Sequence, residues 1–316
     1  MTARKRTKKW KDALLTSSLP LEYSVTELLK KFGVSDAAEF KYERPNETGQ
    51  MVTFSIDIHG SKALNKNRIS VEMFVECKYR HPSTQWVFLP HSFASPKDVC
   101  FEDTFISLDD LCQQYGLNWG AYNPASMTNV ICGKGIELYE NGEINTKTIR
   151  QAISQLQYSL VAKARDCMWQ QIDDIFGDPG QIFVLVPWIV TTAELWRLKP
   201  GTTVERIREE SELKDVAEQV EFLLVRELPD NDLKRYSEEF LRKNFLEPDV
   251  KRIDQLLKEQ QSRRAFSFSH LVRTYAETYP CTFWVGHYGA IETRLRNMFS
   301  FFEKPALVRP KGPKGA

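Results

Sequence analysis

The stretch that decides how this chain is read runs from Ile69 to Arg80, Ile69-Ser70-Val71-Glu72-Met73-Phe74-Val75-Glu76-Cys77-Lys78-Tyr79-Arg80. Its bulky, β-branched and aromatic content predicts a β-strand. Alternation puts Val71, Met73, Val75 and Cys77 on one face and Phe74, Glu76 and Lys78 on the other. A carboxylate and an ammonium therefore share a face of an otherwise apolar strand. The Glu-x-Lys spacing is cheap, since about one per chain of this length is expected from average composition. It also occurs at Glu39-Lys41 and Glu212-Lys214, where polar surroundings suit solvated ion pairs. Only Glu76-Lys78 lies in an apolar strand.

The preceding segment "EFKYERPNETGQMVTFSIDIHG" reads as two strands around an Asn-Glu-Thr-Gly turn, the second from Met51 to Ile58. Alternation there groups Thr53, Ser55 and Asp57 against Phe54, Ile56 and Ile58. The turn Asn65-Lys66-Asn67-Arg68 leads into the Glu76 strand, and bending or splaying of the pair brings Asp57 towards Glu76. Two nearby carboxylates ionise together only when a cation compensates. Oxygen ligands around an open position suit a hard cation of the Mg²⁺ type, and a lysine beside them can hold water and stabilise charge on a phosphate. The bland alternative is a cross-strand salt bridge on a solvated face.

Upstream, "LPLEYSVTELLKKFGV" carries Leu21, Val25, Leu28, Leu29 and Phe32 at helical spacing and stops at Gly33. Downstream, "TQWVFLPHSF" reads as a short strand. Residues of about 94–145 form an insertion, with a short helix at "SLDDLCQQYG" and a hairpin around Glu140-Asn141-Gly142. A helix over about 146–176 carries Ile149, Ile153, Leu156, Leu160 and Ala164 as its apolar stripe and ends at Gly177-Asp178-Pro179-Gly180. "QIFVLVPWIVTT" is a strand buried on both faces, followed by strands at "ELWRL", "VEFLLVREL" and "CTFWVGHY". Helices are predicted for 231–245, 249–261, "SFSHLVRTYAETY" and "AIETRLRNMFSFF". Strands alternating with helices indicate an α/β sheet with helices packed on it.

At 316 residues and 42% hydrophobic, the chain can bury a sizeable core. Its net charge of +1 excludes a global polyanion binder, so nucleic acid must be met by a local patch. No apolar run of about 18 residues exists and the N-terminus lacks a signal-type apolar region. Six scattered cysteines (Cys77, Cys100, Cys112, Cys132, Cys167, Cys281) without a C-x-x-C pair suit reduced thiols. The expectation is a cytoplasmic protein without membrane association.

The order of elements — helix with an early glutamate, two strands of which the second ends in Asp57, the Glu-x-Lys strand, a helix and a buried strand — resembles the PD-(D/E)xK nuclease superfamily. The resembling pieces cover about residues 20–198. The resemblance implies a restriction-endonuclease-like core, a central mixed β-sheet flanked by helices, carrying an insertion and a helical C-terminal part. It implies Asp57 and Glu76 as metal carboxylates, Lys78 as the catalytic lysine, Glu22 as an added metal ligand and a helix glutamine, Gln151 or Gln155, of which Gln155 is preferred. Ile56 stands where the name-giving proline would be. The cofactor implied is Mg²⁺, with Mn²⁺ able to substitute. The function implied is hydrolysis of DNA phosphodiester bonds in genome defence or DNA processing; the alternative is a non-catalytic nucleic-acid-binding or effector scaffold. Whether protomers pair, or a defence-system protein joins them, is left open.

Expected nucleic-acid contacts are Lys62, Lys66 and Arg68 around the hairpin turn and Arg80, with Tyr79, Trp86, Trp119 and Tyr122 as aromatic candidates. A basic flexible arm (1–15, with Arg4, Lys5, Arg6, Lys8 and Lys9) and a basic tail (304–316, with Lys311 and Lys314) either track phosphates or merely solubilise. Residues 16–200 form the core, and 201–303 continue it or make a small subdomain. His59 lies near Asp57 and can approach a phosphate, or is polar surface; His81 and His91 have no ligand spacing. Gly133-Lys134-Gly135 is too short for a phosphate loop, and Gly286-His287-Tyr288-Gly289 reads as a strand-to-helix turn. Cys77 is read as buried and apolar.

Overall fold

In the computed structural model, the described residues are 3–46, 48–91, 104–112, 115–118, 130–173, 181–260 and 265–310. Helix α1 (Ala3–Thr16) meets α2 (Leu19–Lys31) at Ser18, which has φ 63°. Leu21, Val25 and Leu29 are the buried stripe of α2, Pro20 suits its first turn, and Gly33 (φ +74°) closes it as expected. The strands β1 (Ser35–Pro45), β2 (Met51–Leu64) and β3 (Ile69–Lys78) then form an antiparallel meander. The second strand runs six residues beyond Ile58, so Lys62 lies in β2 rather than in the turn. That turn holds Asn65, Lys66 and Asn67 at φ 52°, 56° and 64°, a conformation Asn tolerates better than most residues.

After β3 come β4 (Gln85–Pro90), β5 (Ile106–Leu108), β6 (Tyr115–Leu117), β7 (Ile131–Leu138) and β8 (Ile144–Asn145). Of the stretch "SLDDLCQQYG" expected as a helix, 107–108 belong to β5, 110–111 to a turn and 115–116 to β6, while 113–114 lie outside the described residues; Ile106 and Leu108 pair with the open half-edge of a core strand. Helix α3 (Lys147–Ile172) follows; the turn at 177–180 and Cys100 lie outside the described residues. Next are β9 (Ile182–Thr191), β10 (Glu194–Leu198), α4 (Val204–Glu209), α5 (Leu213–Val216), β11 (Ala217–Val220) and β12 (Phe222–Arg226). The segment "VEFLLVREL" is thus broken at Glu221 into two strands. Helices α6 (Asn231–Asn244), α7 (Glu247–Gln260) and α8 (Phe268–Thr278), strand β13 (Thr282–His287), helix α9 (Ile291–Phe302) and strand β14 (Val308–Pro310) complete the chain.

Among the described residues the main sheet has 12 strands, along the path β1-β2-β3-β9-β13-β12-β7-β4-β10-β11 with β5 on β9 and β8 on β7. The sheet is mixed: β9 runs parallel to β3 over its whole length, Ile69↔Ile182 to Lys78↔Thr191, and parallel to β13 on its other edge. Being paired on both edges and covered on both faces makes every residue of β9 buried, which is why its sequence is a continuous apolar run. Strands from the stretch read as an insertion (β5, β7, β8) and from the C-terminal third (β12, β13) belong to this same sheet. No helix among the described residues is long and apolar enough to cross a membrane.

Two cores flank the sheet. On one face α3 sets Ile149, Ile153, Leu156, Leu160 and Ala164 against Ile56, Phe74, Phe183, Leu185 and Ile189, backed by α6–α8 through Leu241, Ile253 and Leu271. On the other face α2 and α9 cover Ile58, Val71, Met73, Val75 and Val184. Each fully buried Leu, Ile or Val contributes about 1.5–3 kcal/mol. Gly60 is required where β2 crosses the start of β1, since a Cβ there would meet Val34 Cγ1 at 2.7 Å and the Ser35 oxygen at 2.9 Å.

Candidate active site

The site is made by an irregularity in β2. Between the pairs Ala38↔His59 and Phe40↔Ile56, β1 advances two residues while β2 advances three, which is a β-bulge at Asp57–Ile58. The extra residue reverses the alternation, so Ile56 joins the α3 core and Ile58 the α2 core. This corrects the expected grouping of Phe54, Ile56 and Ile58 on one face. Bulges commonly re-aim a side chain beside a functional site.

The β2–β3 ladder stops at Ile58↔Val75, so Asp57 is the next residue opposite Glu76, where the strands part. There Asp57 Oδ2 takes the place of a backbone carbonyl and accepts the Cys77 N–H at 2.6 Å. Lys78 Nζ donates to Glu76 Oε1 at 2.6 Å. Glu76 is 1% exposed, and its Oε2 is buried with no hydrogen-bond partner. A buried acid left this way is unusual and calls for a proton, water or ion. Burial, then the Asp57 charge, pushes the Glu76 carboxyl up to about 7, while Lys78 and the Asp57 backbone N–H oppose the shift. Asp57 is raised as well, chiefly by burial, against the Cys77 N–H and Lys78.

Glu22, in the first turn of α2, lies within electrostatic reach of Asp57 and Lys78; burial and then Asp57 raise its carboxyl. Sequence reasoning passed over Glu39 on β1. It acts electrostatically on both Asp57 and Glu22, while its own carboxyl is lowered, first by the Ser55 hydroxyl. Its pairing with Lys41 (3.5 Å, exposed) is the solvated ion pair the spacing suggested, and that reading hid its position.

The structure therefore brings together Asp57, Glu76, Lys78 and Glu22. Gln155 bonds elsewhere: its Nε2 donates to the Ser55 oxygen at 3.4 Å, two residues before Asp57. Gln151 is exposed at the start of α3. Lys66 and Arg68 are at the far end of the hairpin, beyond a ladder that ends seven residues or about 24 Å from Asp57. Lys62 donates to the Phe32 oxygen and sits 4.5 Å over the Phe299 ring, and burial lowers its pKa. Arg80 is clamped through Nε to the fully buried Glu137, with Nη2 on Thr148 Oγ1 at 3.0 Å. Trp86 is 0% exposed, a core residue rather than a contact surface. Trp119, Tyr122, Lys311 and Lys314 lie outside the described residues. Residues 133–135 are strand, and His287 Nδ1 caps the Gly289 N–H at 3.1 Å as part of a strand-to-helix turn.

His59 is engaged within the protein. Its Nε2 is 2.8 Å from Glu72 Oε2, which Lys163 Nζ also approaches at 3.0 Å, while Ser70 Oγ donates to Glu72 Oε1 at 2.8 Å. Burial would raise Glu72, but His59 and Lys163 more than reverse this and its carboxyl is lowered. Cys77 is buried and in no disulfide, with a thiol raised by burial.

As a cation site, Asp57, Glu76 and Glu22 offer only hard oxygens, and Glu76 Oε2 is an oxygen awaiting a partner. Among the described residues no three His, Cys, Asp or Glu side chains converge closely enough to hold a metal as they stand. The donor set thus fits Mg²⁺ in kind, and closing on it requires side-chain rotation at the parted strand ends. Comparison with protein-family models, curated proteins and solved structures finds no match to this chain.

Proposed function

We propose that the chain is a metal-dependent nuclease built on a restriction-endonuclease-like core, hydrolysing phosphodiester bonds of DNA. The observation that carries the reading is Glu76: buried, bonded to Lys78 through one oxygen and unpartnered at the other, beside a bulge that delivers Asp57. Burying that oxygen unsatisfied costs about 1–3 kcal/mol or more, which a proton or cation there would relieve; Glu137 Oε2, behind Arg80, is in the same state without a second carboxylate set beside it by a bulge. Supporting it, the order α2-β1-β2-β3-α3-β9, interrupted by β4–β8 between β3 and α3, is the succession on which the resemblance rests. DNA as substrate, and a role in genome defence, are taken from that resemblance.

Asp57, Glu76 and, after rotation, Glu22 would hold the cation, which when bound supplies an activated water and neutralises phosphoryl charge. Lys78 keeps its ammonium at the mouth, part-exposed and anchored by Glu76, with N–H groups left to orient a nucleophile or a phosphate oxygen. The Cys77 N–H fixes one Asp57 oxygen and so the carboxylate plane. The failure of three ligands to converge favours the second reading, a scaffold that binds without cutting.

Incubation of the purified chain with plasmid and single-stranded DNA, across Mg²⁺, Mn²⁺, Ca²⁺ and chelator, decides between them. Cleavage is expected with Mg²⁺ or Mn²⁺, none with chelator, and binding without efficient turnover with Ca²⁺, whose looser geometry positions water poorly. Full cleavage in chelator rules the mechanism out. No cleavage in any metal, with Mn²⁺ binding unchanged in Glu76→Gln, favours the scaffold.

A further inference from the structure

Of the cations expected to meet nucleic acid, Lys62 and Arg80 are engaged within the protein, and Lys66 and Arg68 lie at the far end of their hairpin. Another cation, Arg44 near the end of β1, stands towards the opposite end of β2. Its Cζ lies 4.2 Å from the centroid of the Phe54 ring and 4.1 Å from that of Tyr158. The guanidinium is therefore held between a ring of β2 and a ring of α3. Tyr236 of α6 packs on Tyr158 at 4.9 Å and donates its hydroxyl to the Glu43 oxygen at 3.0 Å, which ties the outer ring to β1.

Rings attract a cation but leave its N–H groups without acceptors. Arg80, Arg165 and Arg197 are half-buried too, and each has a carboxylate, on Glu137, Asp166 and Glu218 respectively. Arg44 is half-buried and has no carboxylate partner among the described residues, and its Nε is buried without a hydrogen bond. Burial raises the Tyr158 hydroxyl, with Arg44 opposing and Asp230 and Asp232 adding to the shift. Those two carboxylates are occupied: Asp230 Oδ1 accepts the Leu233 N–H at 2.8 Å, and Asp232 pairs with Arg235 at 2.8 Å. A guanidinium taken half out of water without a counter-ion is costly. It is also the group whose planar fork of N–H donors matches a phosphate.

The location suits a polyanion that also reaches Glu76 and Lys78. Tyr42 and Arg44 are two apart on β1 and share its α3 face, and Tyr42 lies within electrostatic reach of Glu76. Arg44 pairs with Val52, five residues before Asp57 on β2, or about 17 Å along the strand. That length is about five base steps along a duplex axis. We propose that Arg44 binds a backbone phosphate of the nucleic acid, about five nucleotides from the scissile bond, with Phe54 and Tyr158 holding the guanidinium in place. The choice of nucleic acid over a free anion rests on the nuclease reading, whereas the anion site rests on the surroundings of Arg44.

Fluorescence anisotropy of labelled duplex and single-stranded DNA in Ca²⁺, over a range of salt, tests this apart from turnover. Arg44→Met keeps an unbranched stem between the rings. It should weaken binding by on the order of tenfold and reduce the salt slope by about one, because one phosphate contact is lost. Arg44→Lys should keep the slope and only part of the affinity, since an ammonium has no planar fork. Val52→Glu sets a carboxylate directly opposite Arg44 and should weaken binding as Arg44→Met does, with a thermal melt no lower than wild type; it carries the test if Arg44→Met unfolds. Met51→Glu, the next residue along and on the other face, makes the same change in net charge and should cost much less. Unchanged affinity and slope in folded Arg44→Met, or equal weakening by the two glutamates, overturns the proposal. So does a chain that binds no DNA, including one that pyrophosphate stabilises through Arg44, which would make this a free-anion site. Failure of the nuclease reading looks different: Arg44-dependent DNA binding without cleavage in Mg²⁺ or Mn²⁺ upholds the phosphate contact, whereas cleavage with binding indifferent to Arg44 removes that contact alone.

Discussion

Glu72 and Glu76 stand four residues apart on the same face of β3, about 13 Å along the strand, and both are buried. Their surroundings are opposite. Glu72 has a hydroxyl on one oxygen and a histidine and a lysine on the other, and its carboxyl is held below the ordinary range. Glu76 has one lysine, a neighbouring carboxylate and an orphaned oxygen, and its carboxyl is pushed up to about 7. Burial is common to both, so burial alone does not mark a site. The distinguishing feature is incomplete satisfaction, which a fold tolerates where the missing partner is a proton, a water or a ligand.

The largest expected effect breaks the satisfied member. Glu72→Gln removes the charge opposing Lys163 beside the α3 core, and breaking a buried pair on one side costs about 3–5 kcal/mol. Glu76→Gln removes a charge the fold already disfavours, so at pH 5, where folded Glu76 already carries its proton, the change should stay within about 1 kcal/mol of zero. Urea midpoints for the two variants check this. Equal losses would mean that Glu76 is as structural as Glu72, and the contrast would collapse.

Next comes activity. Lys78→Ala leaves Asp57 and Glu76 in place but removes the ammonium at the mouth, and loss of one transition-state electrostatic contact costs roughly 10²-fold in rate, or about 3 kcal/mol. Single-turnover cleavage beside a thermal melt separates the cases. Wild-type rates in folded Lys78→Ala protein would reduce the pair to a salt bridge.

How much of this could be read in the sequence differs between fold and site. The apolar run of β9, the stripes of α2 and α3 and the turn at Gly142 are local signals, and each element lies where its period puts it. The bulge is not local. Asp57 reaches Cys77 because β2 gains a residue against β1, and nothing in "FSIDIHG" announces that count. Period-two reasoning therefore paired Ile56 with Ile58 and missed that they serve different cores. Long-range pairing likewise decides what the polar residues do. His59 looked like a neighbour of Asp57 until register placed it opposite Phe74 and beside Glu72. Lys66 and Arg68 looked close to the site because the hairpin joins them in sequence, whereas antiparallel geometry sends the turn to the other end. Glu39 was explained by Lys41 two residues away, and only sheet order reveals its second set of neighbours.

The smallest effect is the sharpest for the comparison, because the two glutamates should respond to pH with opposite signs. Glu76 binds its proton more readily in the folded chain, so between its ordinary value of 4.5 and about 7 the folded state carries the extra proton. Stability must then fall as pH rises through that window, with a slope approaching about 1 kcal/mol per pH unit. Glu72 is lowered, so the stability it contributes is present above 4.5 and disappears only as pH falls through its depressed value. Urea unfolding from pH 4.5 to 7.5 should therefore show a decline that Glu76→Gln flattens and Glu72→Gln leaves in place. A cation held by Glu76 would need the carboxylate ionised, so stabilisation by added Mg²⁺ should grow across the same window and be absent in Glu76→Gln. A wild-type curve already flat from pH 5 to 7 would show that Glu76 stays ionised in the fold, and the open oxygen would lose its claim to a proton.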